Sequence, residues 1–244
     1  MRLVSINVER SKHLDKVLPF LKRMDPDVVC VQELHEPDTS LFEDIVGKCV
    51  VSAPNCWHVP DVLDCGAMIM ETAIFTKLSI RSVSTHYYAG SRMNALTSAP
   101  KEYVKDHCLL GCDVMHGADV FRVMTTHFTW SEKGATSALQ CENMLRLLEV
   151  LKKSGNFILA GDFNAPRGGE MFSVLASGYK DNIPAHYETS IDLDLHGAGK
   201  TRAHELKDKM VDGLFTTPLY VASNVELVFG VSDHAAIVAD ISLA

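Results

Sequence analysis

Short apolar segments rich in β-branched residues recur along the chain, and polar or turn-forming residues bound most of them. Segments of this kind are typical of buried β-strands. They predict strands over residues 3–8, 28–31, 68–75, 120–126, 157–160 and 235–241. Two stretches, 82–107 and 181 to about 209, lack the pattern and are predicted to be long and irregular, which usually indicates function or disorder.

Helical patterns lie between some of these strands. Apolar residues between 14 and 21 repeat with the helical period and stop before Asp25-Pro26, where a helix is expected to end. A second pattern over 139–151 runs into Lys152-Lys153, with Gly155 as its predicted C-cap, and a third around 170–175 is predicted to end at Gly178. Because strands and helices do not alternate strictly, the pattern favours an α/β fold with a mixed sheet, or two stacked sheets with helices outside.

Composition narrows the class of protein. The chain has 244 residues without a repeat or a long linker, so one domain over 1–244 is expected. Its seven cysteines are an odd number without a CxxC pair, which favours a reducing compartment. Neither a signal-peptide core nor an apolar run of ~18 residues is present, so a cytoplasmic protein without a membrane partner is expected. The net charge of −8 argues at first against a polyanionic partner.

Polar residues stand where several predicted strands end or begin. In an antiparallel arrangement the end of one strand and the start of its neighbour share one edge of the sheet. That edge is therefore expected to collect Asn7, Glu33, His127, Asp162, Asn164, Asp212, Asp233 and His234.

Four carboxylates gathered at one edge repel each other unless they are protonated, hydrogen-bonded or neutralised by a cation. Oxygen ligands with few nitrogen or sulfur ligands suit Mg²⁺ or Mn²⁺ better than zinc. A hard metal ion beside a carboxylate base and a histidine is the equipment for hydrolysing a phosphate ester.

The motifs VQE, GDFN and SDH, in this order after an early Asn in SIN, resemble the signature of the endonuclease/exonuclease/phosphatase superfamily. This family includes deoxyribonucleases, exonuclease III-like enzymes, sphingomyelinases, inositol phosphatases, deadenylases and tyrosyl-DNA phosphodiesterases, the last being the branch near which we expect the chain to lie. The motifs span residues 7 to 234. The resemblance implies a four-layer α/β sandwich, with two mixed, mostly antiparallel sheets packed face to face and helices outside.

The resemblance also implies a role for each motif residue. Glu33 is the principal ligand of Mg²⁺ or Mn²⁺ with Asn7 close by, and Asp233 supports the metal or its loop. Asp162 orients or deprotonates the attacking water, and Asn164 holds the scissile phosphate or the nucleophile.

Histidines complete the implied site. His234 contacts the phosphate and stabilises the transition state, and Asp212 orients His234. His127 matches a histidine that acts on the leaving group, and Glu71 is a looser match to a carboxylate that supports it.

Other interpretations of single motifs remain open. GVSDH suggests a nucleophile elbow, but that motif requires a final glycine and a following helix, whereas His234 and a predicted strand stand here. The alternation of Asp192, Asp194 and His196 suggests either a second metal site or a solvated loop. The segment 82–107 mixes aromatic and basic residues (Tyr87, Tyr88, Arg92, Lys101, Tyr103 and Lys105), which suits base stacking or packing on the domain. Trp130 is expected to be a packing residue, with a place at the border of the site as the alternative because it follows His127 closely.

The sequence thus predicts a phosphodiesterase or phosphatase that depends on Mg²⁺ or Mn²⁺ and uses in-line attack by water. A nuclease or DNA-end-processing phosphodiesterase is the first hypothesis and a small-molecule phosphoesterase the alternative. A non-catalytic binding protein on the same fold would be expected to lack some of the motif residues. The four site carboxylates account for part of the acidity, but the remaining surface is not basic enough to track long nucleic acid. We therefore expect contact at one phosphate and its neighbours, without an obligate protein partner.

Overall fold

One six-stranded sheet carries the N- and C-terminal parts of the chain. The computed structural model describes residues 1–58, 68–97 and 106–244. The strands of sheet 1 have the order β11-β12-β1-β2-β4-β3. Their bounds are β1 Arg2–Asn7, β2 Val28–His35, β3 Lys48–His58, β4 Met68–Thr76, β11 Tyr220–Val228 and β12 Ala236–Leu243.

Sheet 2 is formed by the middle of the chain and has the order β5-β6-β7-β8-β10-β9. Its strands are β5 Ile80–Ala89, β6 His107–His116, β7 Asp119–His127, β8 Ile158–Asp162, β9 Lys180–Asp181 and β10 Asp212–Thr216. Among the described strand pairs, β1 with β2 and β7 with β8 are parallel and the others antiparallel. Both sheets are therefore mixed and mostly antiparallel.

Helices cover the outer faces of both sheets. Their bounds are α1 Leu14–Met24, α2 Thr39–Val46, α3 Arg92–Thr97, α4 Ala138–Lys153, α5 Glu170–Gly178 and α6 Ala203–Leu206, with 3-10 turns at Glu36–Asp38 and Glu132–Gly134. None of the helices in the described ranges has the length and apolar character that a membrane span requires.

Three apolar cores separate the layers. The central core joins the inner faces of the two sheets, for example Cys30 and Ile74 of sheet 1 with Leu110 of sheet 2. Phe20 of α1 packs on sheet 1 in the second core. Leu147 of α4 packs on sheet 2 in the third. The predicted four-layer sandwich is confirmed.

The six predicted strands and the helices α1, α4 and α5 are present. α5 ends at Gly178 as predicted, and Gly155, with φ +70°, follows the end of α4. Glycine tolerates this left-handed conformation because it lacks a Cβ.

The prediction that residues 82–107 are irregular was wrong, because β5 and α3 occupy much of this stretch. β5 is an edge strand whose side chains are mostly exposed, so it carries no apolar run that would reveal it. The hydroxyl of Tyr87 donates to the carbonyl of Pro54, and that of Tyr88 shares a hydrogen bond with Thr126. These two tyrosines thus fit the packing alternative, while Lys101, Tyr103 and Lys105 lie outside the described residues.

Candidate active site

The register of sheet 2 places three of the predicted site residues side by side. His127, the last residue of β7, pairs with Asp162, the last residue of β8. Asp162 in turn pairs with Asp212, the first residue of β10. Directly paired residues project from the same face of a sheet, so this row gives one face an imidazole and two carboxylates.

Sheet 1 contributes Asn7, the last residue of β1, and Glu33, which lies at a distortion of β2. The pairing of β2 with β4 shifts between Val31 and Leu34, and Glu33 has a φ of +57°. A positive φ is uncommon for a residue other than glycine, and a bulge redirects the side chain that it contains. Glu33 therefore lies within β2, not after it as the short apolar run predicted.

Asn7, Glu33, His127 and Asp162 form one cluster. The Nδ2 atom of Asn7 donates to Asp162 Oδ2 at 3.1 Å and to Glu33 Oε1 at 3.4 Å. The Nε2 atom of His127 lies 3.6 Å from the same Asp162 oxygen and 3.8 Å from the same Glu33 oxygen. Two carboxylates from different sheets thus point toward one place.

The turn after β8 fixes Asp162 and Asn164 relative to each other. The backbone N–H of Asn164 donates to Asp162 Oδ1 at 2.8 Å, and Asn164 Nδ2 donates to the carbonyl of Phe128 at 2.9 Å. Asn164 has a φ of +48°, a conformation that asparagine tolerates better than most residues. Because Oδ1 holds the turn, Oδ2 is the atom that Asp162 directs to the cluster.

His234 and Asp212 form a second, adjoining pair. The Nδ1 atom of His234 lies 2.7 Å from Asp212 Oδ2, and Ser190 Oγ accepts the backbone N–H of Asp212. Burial alone would lower the pKa of His234, but Asp212, Asp233 and Asp162 together raise this pKa well above its ordinary value. One ligand atom from each of Asp162, Asp212 and His234 lies within 4.8 Å of the others.

The raised pKa of Asp233 reflects an excess of negative charge at the site. Burial, together with the nearby carboxylates of Glu9 and Glu33, raises its pKa to about 8, although His234 acts in the opposite direction. Buried carboxylates in such excess are stabilised by a bound cation, and the available donors are mainly oxygens. The residues present therefore fit a hard divalent ion such as Mg²⁺ or Mn²⁺.

These groups border a cleft of about 340 Å³. Its lining includes Glu33, His127, Asp162, Asn164, Asp233 and His234, whereas Asn7 and Asp212 lie behind it. All eight predicted strand-end residues are thus gathered at one place.

The predicted contact between Glu71 and His127 is not among the described ion pairs of His127. The described ion pairs of His127 are with Glu33 and Asp162, and Met70 lines the cleft, not Glu71. Side chains of a strand alternate between its two faces, so a shift by one residue reverses the face. Burial raises the pKa of Glu71, with Ser52 and Glu36 as its nearby polar groups.

The Asp192–His196 segment is a turn instead of an extended strand. Asp192 accepts backbone N–H groups of Asp194, Leu195 and Gly230, so its carboxylate is used in holding the turn and is buried, not solvated. His196 lines the cleft. This arrangement does not support a second metal site.

Several residues that line the cleft were not singled out by the sequence. They include Arg10, Lys133, Arg202 and Lys209. Trp130 lines the cleft, which fits the alternative that it borders the site and not the first expectation that it serves packing alone. Lys133 lies six residues after His127. Arg202 and Lys209 lie near the end of the irregular stretch predicted from 181 to about 209. Their positions in the chain were therefore the available signal that they line the cleft.

The chain matches the model of the Endonuclease/Exonuclease/phosphatase family over residues 4–234. No curated protein sequence matches it significantly.

Solved structures share the fold at low identity. A mannosyl-6-phosphatase from Bacteroides thetaiotaomicron has a TM-score of 0.68 at 11% identity, with 99% of each chain covered. The catalytic domain of human Nocturnin, with bound sulfate, has a TM-score of 0.66 at 14% identity, covering 100% of this chain and 94% of that one. A humanized TDP2 of D. rerio has a TM-score of 0.65 at 16% identity, covering 99% and 98%. The sequence match, extending over nearly the whole length, shows that this chain belongs to the Endonuclease/Exonuclease/phosphatase family.

Proposed function

We propose that this protein is a phosphoesterase that depends on Mg²⁺ or Mn²⁺ and hydrolyses its substrate by in-line attack of water. The observation that carries the proposal is the meeting of Glu33 and Asp162 with an Asp212-held His234 in one cleft. One carboxylate for a cation, another for the attacking water and a charged imidazole for a phosphate are the combination that this chemistry requires.

Glu33, with Asn7 and Asp233 close by, would hold the divalent ion, and Asp162 Oδ2 lies beside this donor set through its contact with Asn7. The ion supplies polarisation of the phosphoryl oxygens and neutralises developing charge. The proposed donor set matches the assignment made from the sequence, and the oxygen-rich cluster supports it.

The remaining side chains perform the proton and charge chemistry. Asp162 orients the water and takes its proton as the water oxygen bonds to phosphorus. Asn164 positions the phosphate. His234 donates from Nε2 to a phosphate oxygen because its Nδ1 faces Asp212.

The bond from phosphorus to the leaving oxygen then breaks. We assign His127, at the end of the neighbouring strand, to assisting that oxygen as it leaves. Because water is the nucleophile, no covalent enzyme intermediate is required.

A nucleic-acid end or a nucleotide is the substrate class that we favour. Trp130 lines the cleft with 47% of its surface exposed, and stacking of a base on an aromatic ring contributes about 1–3 kcal/mol. The cleft volume also favours a second candidate, a small phosphate ester, because it has room for one nucleotide-sized group. The presence of all eight motif residues argues against a non-catalytic binding protein.

A substrate panel tests the proposal. Single-stranded, duplex, abasic and 5′-blocked DNA, RNA, nucleotides and small esters are compared with Mg²⁺ and with Mn²⁺, using Asp162→Asn as the inactive control. We expect metal-dependent hydrolysis of nucleic-acid ends or nucleotides by the natural chain alone. Turnover of small esters with none of any nucleic acid would select the second candidate, and inactivity toward every ester would overturn the proposal.

Two further expectations belong with this function. We propose that the protein acts without an obligate protein partner and in the cytoplasm, where its thiols stay reduced. Among the described cysteines, Cys30, Cys49, Cys108, Cys112 and Cys141 are free thiols, which is compatible with such a compartment.

A further inference from the structure

The cleft is lined by groups of both charges. The carboxylates of Glu33, Asp162 and Asp233 are called the carboxylate wall below. The same lining includes Lys133, Arg202 and Lys209, three cations in a protein whose net charge is −8. Such a concentration of positive charge at one place in an acidic chain calls for an anionic group to bind there.

The three cations lie close to one another. Arg202 holds Glu205 at 2.7 Å, and Arg202 above all, with Lys133 at longer range, lowers the pKa of Glu205. A Cβ placed on Gly134 would lie 3.5 Å from Lys209 Nζ, so the Lys209 ammonium sits beside the turn that carries Lys133. Glu205 pairs with Arg202 and not with either lysine.

The two lysines retain the capacity to bind a ligand. In the described part of the chain, neither ammonium has a hydrogen-bond or ion-pair partner within the protein, while Arg202 is committed to Glu205. Ammonium groups are strong donors to phosphate oxygens.

The backbone around these side chains is held in place. Lys133 and Gly134 have φ values of +56° and +67°, and a Cβ on Gly134 would stand 2.6 Å from Pro166. The backbone of Lys209 donates to Leu206 and accepts from Ser190. The lysines are therefore carried on fixed loops beside the carboxylate wall and not on a free tail.

We propose that Lys133, Arg202 and Lys209 form a second anion subsite, which binds another phosphate group of the same substrate while the scissile phosphate lies at the carboxylate wall. This inference rests on the proposed function and narrows its substrate class. The substrate is a compact ester with two phosphate groups close enough to share the cleft, and an ester with an uncharged remainder is a poorer substrate.

A matched pair of chromogenic esters tests the subsite. Thymidine 5′-(p-nitrophenyl phosphate) and its 3′-phosphorylated analogue differ only in the second phosphate. We expect kcat/KM to be higher for the 3′-phosphorylated ester by roughly tenfold to a hundredfold, since a hydrogen bond between charged groups contributes that much. Lys133→Ala and Lys209→Ala should each reduce this ratio by about tenfold, whereas Lys207→Ala, an exposed lysine outside the cleft, should leave it unchanged.

A third ester identifies the source of the second phosphate. The p-nitrophenyl ester of a 5′-phosphorylated dithymidine carries an internucleotide phosphate in place of the terminal one. If kcat/KM rises only with the terminal phosphate, the group bound in the subsite is a phosphate monoester. If kcat/KM rises equally with both esters, the bound group is the neighbouring internucleotide phosphate of a nucleic-acid end. Either result supports the subsite.

Product binding separates failure of the subsite from failure of the proposed function. Calorimetry in Mg²⁺ buffer compares thymidine 3′,5′-bisphosphate with thymidine 5′-monophosphate, and the bisphosphate should bind tighter in the natural chain and lose this advantage in Lys209→Ala. Hydrolysis of both esters at equal efficiency, unaffected by either lysine variant, would overturn the subsite and leave the function standing. Absence of turnover with the tighter, lysine-dependent binding intact would overturn the function and leave the subsite standing.

Discussion

The chemistry of single side chains in this site is set by the group that stands behind each of them. His234 faces the cleft with one ring nitrogen because Asp212 occupies the other at 2.7 Å. Asp212 is itself held by Ser190. A histidine kept charged in this way is suited to binding a phosphate, and its orientation depends on a residue that does not touch the cleft.

Replacing Asp212 by Asn tests this dependence. The variant retains a side chain of the same shape but removes the negative charge that favours the charged imidazole, so kcat should fall by roughly 10- to 100-fold with a smaller change in KM. Steady-state kinetics on a p-nitrophenyl phosphodiester measures both constants. An unchanged kcat in a variant that melts at the same temperature as the natural chain would show that Asp212 does not act through His234.

The identity of the site residues could be predicted from the sequence, whereas the orientation of their side chains could not. The strand-end positions of Asp162 and His127 follow from the apolar runs that precede them, and their meeting follows from the register. Glu71 and Met70 differ by one position, and only the strand's actual pairing decides which of them faces the cleft. The sequence around Glu33 contains no feature that predicts the bulge in β2.

At the scale of elements, the close approach of β7 and β8 positions the row of paired residues His127, Asp162 and Asp212. Gly161 of β8 pairs with Thr126 of β7, and a Cβ at this position would clash with the carbonyl oxygen of Thr126. The glycine of GDFN is thus needed for the strand pairing that carries the following aspartate.

Gly161→Ala should therefore force the two strands apart. Overpacking of this kind costs about 1–3 kcal/mol, and the displacement should also reduce activity because Asp162 is the next residue. The matched control is Gly178→Ala at the end of α5, where a Cβ meets nothing within 4 Å. Urea unfolding and kinetics of both variants test this, and equal stability of the two would contradict the proposed role of Gly161.

The elements that the sequence predicted well are the buried ones. Central strands such as β1, β2 and β8 are apolar on both faces because a sheet covers one side and helices the other. β5 and β11 are edge strands with exposed polar positions, and an apolar run does not mark them. The same physical reason explains why 82–107 was predicted to be irregular.

At the scale of the whole molecule, the two sheets meet around a site that joins both, so stability and site geometry are linked. His107 lies in the buried region beside the site, where its Nδ1 donates to the carbonyl of His127 at 2.8 Å and its ring stacks on Tyr88. Burial lowers its pKa to about 4, although the hydrogen bond to the His127 backbone and the nearby Asp106 act in the opposite direction.

This histidine should make the fold sensitive to acid. Since the folded pKa lies below the unfolded value of about 6.5, the unfolded chain binds the proton first. The stabilising contribution is thus complete above pH 6.5 and lost as the pH falls toward 4, by about 3 kcal/mol in total.

Urea unfolding of the natural chain and of His107→Asn between pH 7 and 4.5 measures the effect. The Asn amide can retain the donor to His127 but does not titrate, so its unfolding free energy should fall less steeply with acid. Parallel pH dependences in the two proteins would contradict this account, and His107→Gln provides a second non-titrating variant if His107→Asn folds poorly.

The most direct test of the central claim is hydrolysis of thymidine 5′-(p-nitrophenyl phosphate) before and after removal of divalent ions with EDTA. The site described here predicts that EDTA abolishes turnover by the natural chain and that Mg²⁺ or Mn²⁺ restores it. Asp162→Asn should remain slower by roughly 10²- to 10⁴-fold with metal present. Hydrolysis that survives EDTA, or that Asp162→Asn catalyses at the natural rate, would contradict the assignment of this cleft as a metal-dependent phosphoesterase site.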